Sequence, residues 1–149
     1  MTVSSTTPRP ACLAPTMAAG RDFILRGIDG EVVMLNLLRL RETADYSGAP
    51  ELAPETPISG REAYDRYIAH TRPFLAASGG HLDLVAEGGA FLIGPPDERW
   101  DLVMLVRQKD TETFLSFEQD GAYMAGTGHR TAAIEDSRLL PLKVVAPQG

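Results

Sequence analysis

"EVVMLNLLRL", residues 31–40, is the stretch on which the fold turns. It is almost continuously apolar, begins with two β-branched valines, and is short for a helix. Such a run predicts a strand apolar on both faces, as a central strand is. "WDLVMLVRQ", residues 100–108, has the same character. Two further stretches read as outer strands. "HLDLVAE", 81–87, alternates polar and apolar, and Gly88 and Gly89 mark a bulge or turn before "AFLIG". In "SRLLPLKVV", 137–145, Pro141 has no N–H to give a ladder, which places this strand at a sheet edge.

The segments between the strands read as helices. Ser59 and Glu62 form a capping box, with Ile58 and Ala63 as a hydrophobic staple. Tyr64, Tyr67, Ile68, Thr71 and Leu75 then fall on one side at helical spacing, and Pro73 predicts a kink. Asp110 caps a helix carrying Phe114, Leu115 and Phe117, and a further helix is expected from Asp120 through Glu135. Thr16 caps a short helix to Arg26. The order is (α)βαββαβ. In the split βαβ arrangement the first and third strands are central, and these are the two apolar ones. The expected fold is therefore α+β and ferredoxin-like, a four-stranded antiparallel sheet with an extra N-terminal helix. Helices on one face leave the other bare, and a bare apolar face predicts a homodimer.

At 149 residues, 44% hydrophobic and 23% charged, the chain is expected to be one ordinary globular domain. Its formal charge of −6, with dispersed basic residues, speaks against nucleic acid and anionic membrane surfaces. No apolar run approaches the roughly 18 residues of a membrane span. Residues 1–15, Ser/Thr/Pro-rich and without the apolar core of a secretory signal, are expected to be a disordered tail before a single domain over 16–145. The cytoplasm is the default compartment. Residues 41–58 are acidic, Pro-rich and aperiodic, a long loop suited to a lid.

"VVMLNLLRLR", "SGREAYDRY", the "GG" after the long helix, "LIGPP" with "WDLVMLVR", and "HRTAAIEDSRL" occur in an order that resembles the domain of unknown function 1330 family. The resemblance spans about residues 30–142. It implies the dimeric α/β-barrel superfamily, in which two ferredoxin-like protomers face their sheets together. It implies no single reaction.

"GHRTAAIEDSRLLPL", 128–142, crowds chemistry-bearing residues together. A Ser–His–Asp triad is disfavoured, because a helix would hold His129 and Ser137 about 12 Å apart. His129 remains the catalytic candidate, since its side chain titrates near neutrality. A surface histidine with a satisfied hydrogen bond is the plainer reading. Gly126 and Gly128 beside it allow close packing or a ligand's approach. Asn36 intrudes on the apolar first strand, while Asp101 and Arg107 share the alternate face of the third. Asn36, Tyr67, Arg107 and Arg130 are the ligand-binding candidates. For Tyr64 and Tyr67, core packing with a wet hydroxyl is the competing reading. The three histidines show no metal-ligand spacing and no nucleotide-binding glycine motif occurs, so no metal and no cofactor is assigned. The expectation is a small-molecule-binding homodimer, either a binding protein or a cofactor-independent enzyme of proton transfer or oxygenation on a small organic acid or aromatic. The alternative is a non-catalytic structural or ligand-sensing homodimer.

Overall fold

The computed structural model of the chain describes residues 10–146. In chain order it contains α1 (Met17–Leu25), β1 (Val32–Leu40), α2 (Gly60–Ala77), β2 (His81–Ala90), β3 (Arg99–Gln108), α3 (Thr111–Ser116), α4 (Gly121–Met124), α5 (Thr127–Ala133) and β4 (Ile134–Lys143). The strands form one antiparallel sheet in the order β2-β3-β1-β4. The two apolar strands are central, and the fold is the expected α+β, ferredoxin-like one. Side chains alternate across the pleat, so register decides what each face carries. Val32, Met34 and Leu38 of β1, with Leu102 and Met104 of β3, enter the core beneath the helices. Leu35 and Leu37 pair with Leu105 and Val103 on the opposite face, which no helix among the described residues covers.

Local signals explain the helix starts. Thr16 accepts from the Ala19 N–H, the capping box at Ser59 and Glu62 is complete, and Asp110 accepts from the Thr113 N–H. α2 runs to Ala77 with Pro73 inside it. The carbonyl that Pro73 cannot serve, that of Ala69, lies on an exposed side open to solvent.

Three expectations are corrected. The segment from Asp120 is two short helices, and Glu135 lies in β4. Gly126 interrupts the helical run, and Ile134 already pairs with Leu40. The irregularity of β2 falls between Leu82 and Leu84 rather than at the glycines, and the strand continues to Ala90. Residues 10–15, expected as part of a free tail, are held against α5 and β4. Cys12 N–H donates to Asp136 Oδ1 at 2.8 Å, the Ser137 hydroxyl donates to the Cys12 carbonyl, and Arg130 Nη1 donates to the Leu13 carbonyl at 3.0 Å. Residues 1–9 of that expectation lie outside the described residues.

The loop 41–58 is stitched down. Arg41 and Asp45 donate their N–H groups to the carbonyls of Ala133 and Ala132, and Thr43 bridges to Ser59. Tyr46 within it is 8% exposed and joins the core cluster of α2 and α5.

Candidate functional site

The chain's four tyrosines all lie in or against the helix layer, three of them on α2 and α4. Tyr67 and Tyr123 share a hydrogen bond of 2.7 Å between their hydroxyls. Phe74 and Phe117 pack against the Tyr123 ring, at 5.9 and 4.9 Å between centroids. His70 Nε2 donates to the carbonyls of Ala122 and Tyr123, which fixes α4 beside α2. Gly126 is required here, because a Cβ at that position would sit 2.1 Å from the His70 ring.

Tyr64 is wholly buried, and among the described residues its hydroxyl has no close hydrogen-bond partner, the Arg130 side chain being a more distant donor toward it. The Thr71 hydroxyl, farther along the same stripe of α2, is likewise buried and unpartnered. Burial pushes the Tyr64 phenol far above its ordinary pKa, with Tyr67 adding to the shift and the nearby Arg130 opposing it. Burial does the same to Tyr123, again with Tyr67 reinforcing and Arg130 opposing. Both phenols stay protonated at physiological pH and offer O–H donors.

Tyr46 Oη lies 2.7 Å from His129 Nδ1, with the rings edge to face. Burial raises the Tyr46 pKa despite Arg66. Burial lowers that of His129, helped by Arg66 and His70. Burial thus favours the neutral imidazole, which shares this hydrogen bond with the phenol at Nδ1. Gly128 permits this arrangement: a Cβ there would lie 2.5 Å from Ala49 Cβ and 2.8 Å from Leu52 Cδ1, where the loop docks on α5. Beside it opens a cleft of about 280 Å³, lined in part by Asp45, Ala49, Thr127 and Thr131.

The structure thus brings together two of the sequence candidates, Tyr67 and Arg130, and adds Tyr64 and Tyr123. His129 is adjacent on α5 and is satisfied by Tyr46. Asn36 lies on the helix-facing side of β1, half-buried between the two core clusters, and its Nδ2 donates to the Met34 carbonyl at 3.2 Å. Arg107 does not join the group. Its guanidinium is on the opposite face, 2.8 Å from Asp83 and 3.1 Å from Glu31. Asp101 accepts from the Leu40 N–H and serves the sheet. The wet hydroxyl expected for Tyr64 is dry. Tyr46 and Tyr123 escaped sequence reasoning, because one sits in an aperiodic loop and the other in a four-residue helix with no stripe to judge by. Among the described residues no three His, Cys, Asp or Glu side chains come together as a metal site.

Asp136 and Ser137 hold the strap and not a triad. The Asp136 carboxylate accepts from the N–H groups of Cys12 and Ser137 and from Arg138 Nη1, each at 2.8 Å, with Arg39 at 3.8 Å. Both guanidinium groups rest on Trp100, 4.9 and 5.0 Å from its ring centroid. Burial works to raise the Asp136 pKa, but the Cys12 N–H, Arg138 and the Ser137 N–H outweigh it and hold the carboxyl below its ordinary value. A depressed folded pKa contributes stability above the unfolded value, about 3.9 for Asp, and loses it as pH falls through the folded one. Asp136→Asn is expected to cost about 1–2 kcal/mol at pH 7 and less as the pH drops toward 3, read as melting temperature against pH. An equal loss at pH 3 and pH 7 would refute the ionic contribution.

No protein-family model and no curated protein matches the chain. Among solved structures, the RPA0582 protein of unknown function from Rhodopseudomonas palustris matches with a TM-score of 0.79 and 33% identity, over 92% of this chain and 99% of that one. The methylated RPA0582 protein matches with a TM-score of 0.80 and 32% identity, over 95% and 100%. A dimeric protein of unknown function and ferredoxin-like fold from Bacteroides fragilis matches at 0.46 and 12% identity, over 78% and 99%.

Proposed function

The chain belongs to the family of the Rhodopseudomonas palustris RPA0582 protein, and on that premise we propose that it is a homodimer that binds a small organic molecule in its helix layer. The motif order read from the sequence supports placing it in the domain of unknown function 1330, with two sheets facing each other as a dimeric α/β barrel. The bare sheet face supports the dimer. Leu84 and Leu140 on it are 43% and 52% exposed around the half-buried Leu35, Leu37, Val103 and Leu105. Charge lies at the two ends. Arg107 with Asp83 and Glu31 leaves an acidic surplus at one end, and Arg39, Arg99 and Arg138 with Asp101 and Asp136 a basic surplus at the other. A two-fold axis perpendicular to the strands brings each end of one copy onto the opposite charge of its partner.

The observation that carries the binding reading is the dry Tyr64 hydroxyl, without a close hydrogen-bond partner and facing only the more distant Arg130 donor, beside the Tyr67–Tyr123 pair. A buried hydroxyl without a partner costs about 1–3 kcal/mol, and buried tyrosines ordinarily find one. A ligand oxygen supplies that partner.

The test is a melting-temperature screen with small aromatic and aliphatic acids, phenols and their neutral analogues. A ligand at 100 times its dissociation constant adds about 2.7 kcal/mol, a rise of roughly 5–10 °C for a chain of this size. If no compound moves the midpoint, the binding reading is wrong. The 2.7 Å contact of Tyr46 with His129 favours a second reading, cofactor-independent proton transfer or oxygenation with His129 as the acid–base. Compounds that stabilise the protein would then also be turned over, and His129→Gln would stop turnover while leaving the stabilisation.

A further inference from the structure

We propose that Arg130 and Tyr64 form a carboxylate-recognition site, and that the segment 10–15 is a displaceable strap whose Leu13 carbonyl occupies the carboxylate's place. The proposal rests on the small-molecule reading above and names the ligand class and the gate.

Arg130 presents five N–H donors in a planar fork, which matches a carboxylate. Among the described residues it forms no ion pair: its close acceptor is a neutral peptide carbonyl, Leu13 O at 3.0 Å, and its guanidinium also acts on the Tyr64 phenol through its charge and a weaker side-chain hydrogen bond. A guanidinium in the helix layer with only a neutral acceptor has donors to spare. Leu13 itself packs on the cluster that contains Tyr64. Arg130 acts on the Tyr64 phenol as well as on the Leu13 carbonyl, so a carboxylate reaching Arg130 has a second donor at the Tyr64 hydroxyl. Tyr67 and Tyr123 add hydroxyls and aromatic faces, and Phe74 and Phe117 stack behind them. These side chains suit an acid with a small apolar or aromatic body.

The strap has the marks of a segment that opens readily. It has no regular secondary structure, and Leu13 is the one half-buried side chain in residues 10–16, the others being exposed. Three hydrogen bonds hold it, to Asp136, Ser137 and Arg130. Segments with few buried side chains open at small cost. A carboxylate gains a charge-assisted bond that the Leu13 carbonyl cannot offer, so exchange of one for the other is favourable. Binding and strap opening are then coupled. Loosening the strap without touching Arg130 or Tyr64 raises the population competent to bind.

The experiment titrates the full chain with benzoate and hexanoate, and with benzamide and hexanamide as neutral counterparts, by calorimetry. The acids are expected to bind at least tenfold more tightly than the amides, and Arg130→Gln is expected to remove that preference. The double variant Leu13→Ala, Ser137→Ala should bind the acids several-fold more tightly than the parent, with faster hydrogen exchange at the Cys12 amide. Equal binding of acids and amides by the parent would overturn carboxylate recognition while sparing the small-molecule reading, and needs no variant to fold. Unchanged or weaker acid binding by the double variant would overturn the gate. If parent and double variant bind none of the four probes while other compounds stabilise the protein, the ligand class is wrong. If nothing binds at all, the underlying reading falls with it.

Discussion

Leu105→Asp is expected to abolish the dimer, so that light scattering finds 16.1 kDa particles where the parent chain gives about twice that mass. Leu105 sits on the central strand β3, opposite Leu35 of β1 and Leu84 of β2, in the middle of the face that no helix covers. In one protomer it is half-buried, so an aspartate there still reaches water and the fold survives. Between two sheets the same carboxylate is buried without a partner, and the desolvation penalty of an unpaired ion is several kcal/mol. A penalty of 4 kcal/mol alone weakens association roughly a thousandfold. The parent should also melt at lower temperature when diluted, because association stabilises only the folded chain. A parent chain that is monomeric at micromolar concentration, or whose midpoint ignores dilution, would refute the dimer. Circular dichroism separates a split dimer from an unfolded variant.

What could be read from the chain alone follows the range of the interactions. The capping box at Ser59 is legible because both partners lie within four residues, and it forms as expected. The central strands are legible because both their faces are apolar. One face packs under the helices, and the other is the bare surface on which the proposed dimer would form. Boundaries set by distant partners were not legible. Nothing near Glu135 says that Leu40, nearly a hundred positions away, begins β4 at Ile134. The same holds for the site. Parity along β3 gave Arg107 a face, yet only the irregular register of β2 brings Asp83 to it and commits the guanidinium to the sheet. The dry hydroxyl of Tyr64 depends on a core assembled from the loop, α5, the sheet and residue 13, none of which its own helix stripe reveals.

Gly60→Ala is the stability counterpart, and two principles give it opposite signs. Gly60 opens α2, where helix propensity favours alanine by up to about 1 kcal/mol. Packing opposes that. A Cβ at Gly60 would lie 2.2 Å from the Arg41 carbonyl oxygen and 2.8 Å from that of Ala133. A carbon–oxygen contact needs about 3.3 Å, so the backbone must part by about 1 Å. Both obstacles are main chain and cannot turn aside as a side chain can. The site is also where three segments are tied: Gly60 N–H donates to Arg41 O at 3.1 Å, and Arg41 N–H donates to Ala133 O at 2.8 Å. Overpacking costs about 1–3 kcal/mol, and losing both hydrogen bonds adds about 1 kcal/mol each. The steric terms win, for a net loss of about 2–4 kcal/mol and a midpoint lower by roughly 5–15 °C. Gly20→Ala in α1 is the control. Nothing lies within 4 Å of its Cβ, so only propensity acts and the midpoint should rise slightly. If both alanines shift the midpoint upward, the junction of loop, α2 and α5 is not packed as described. The docking of the loop that seats Tyr46 on His129 would then have to be abandoned with it.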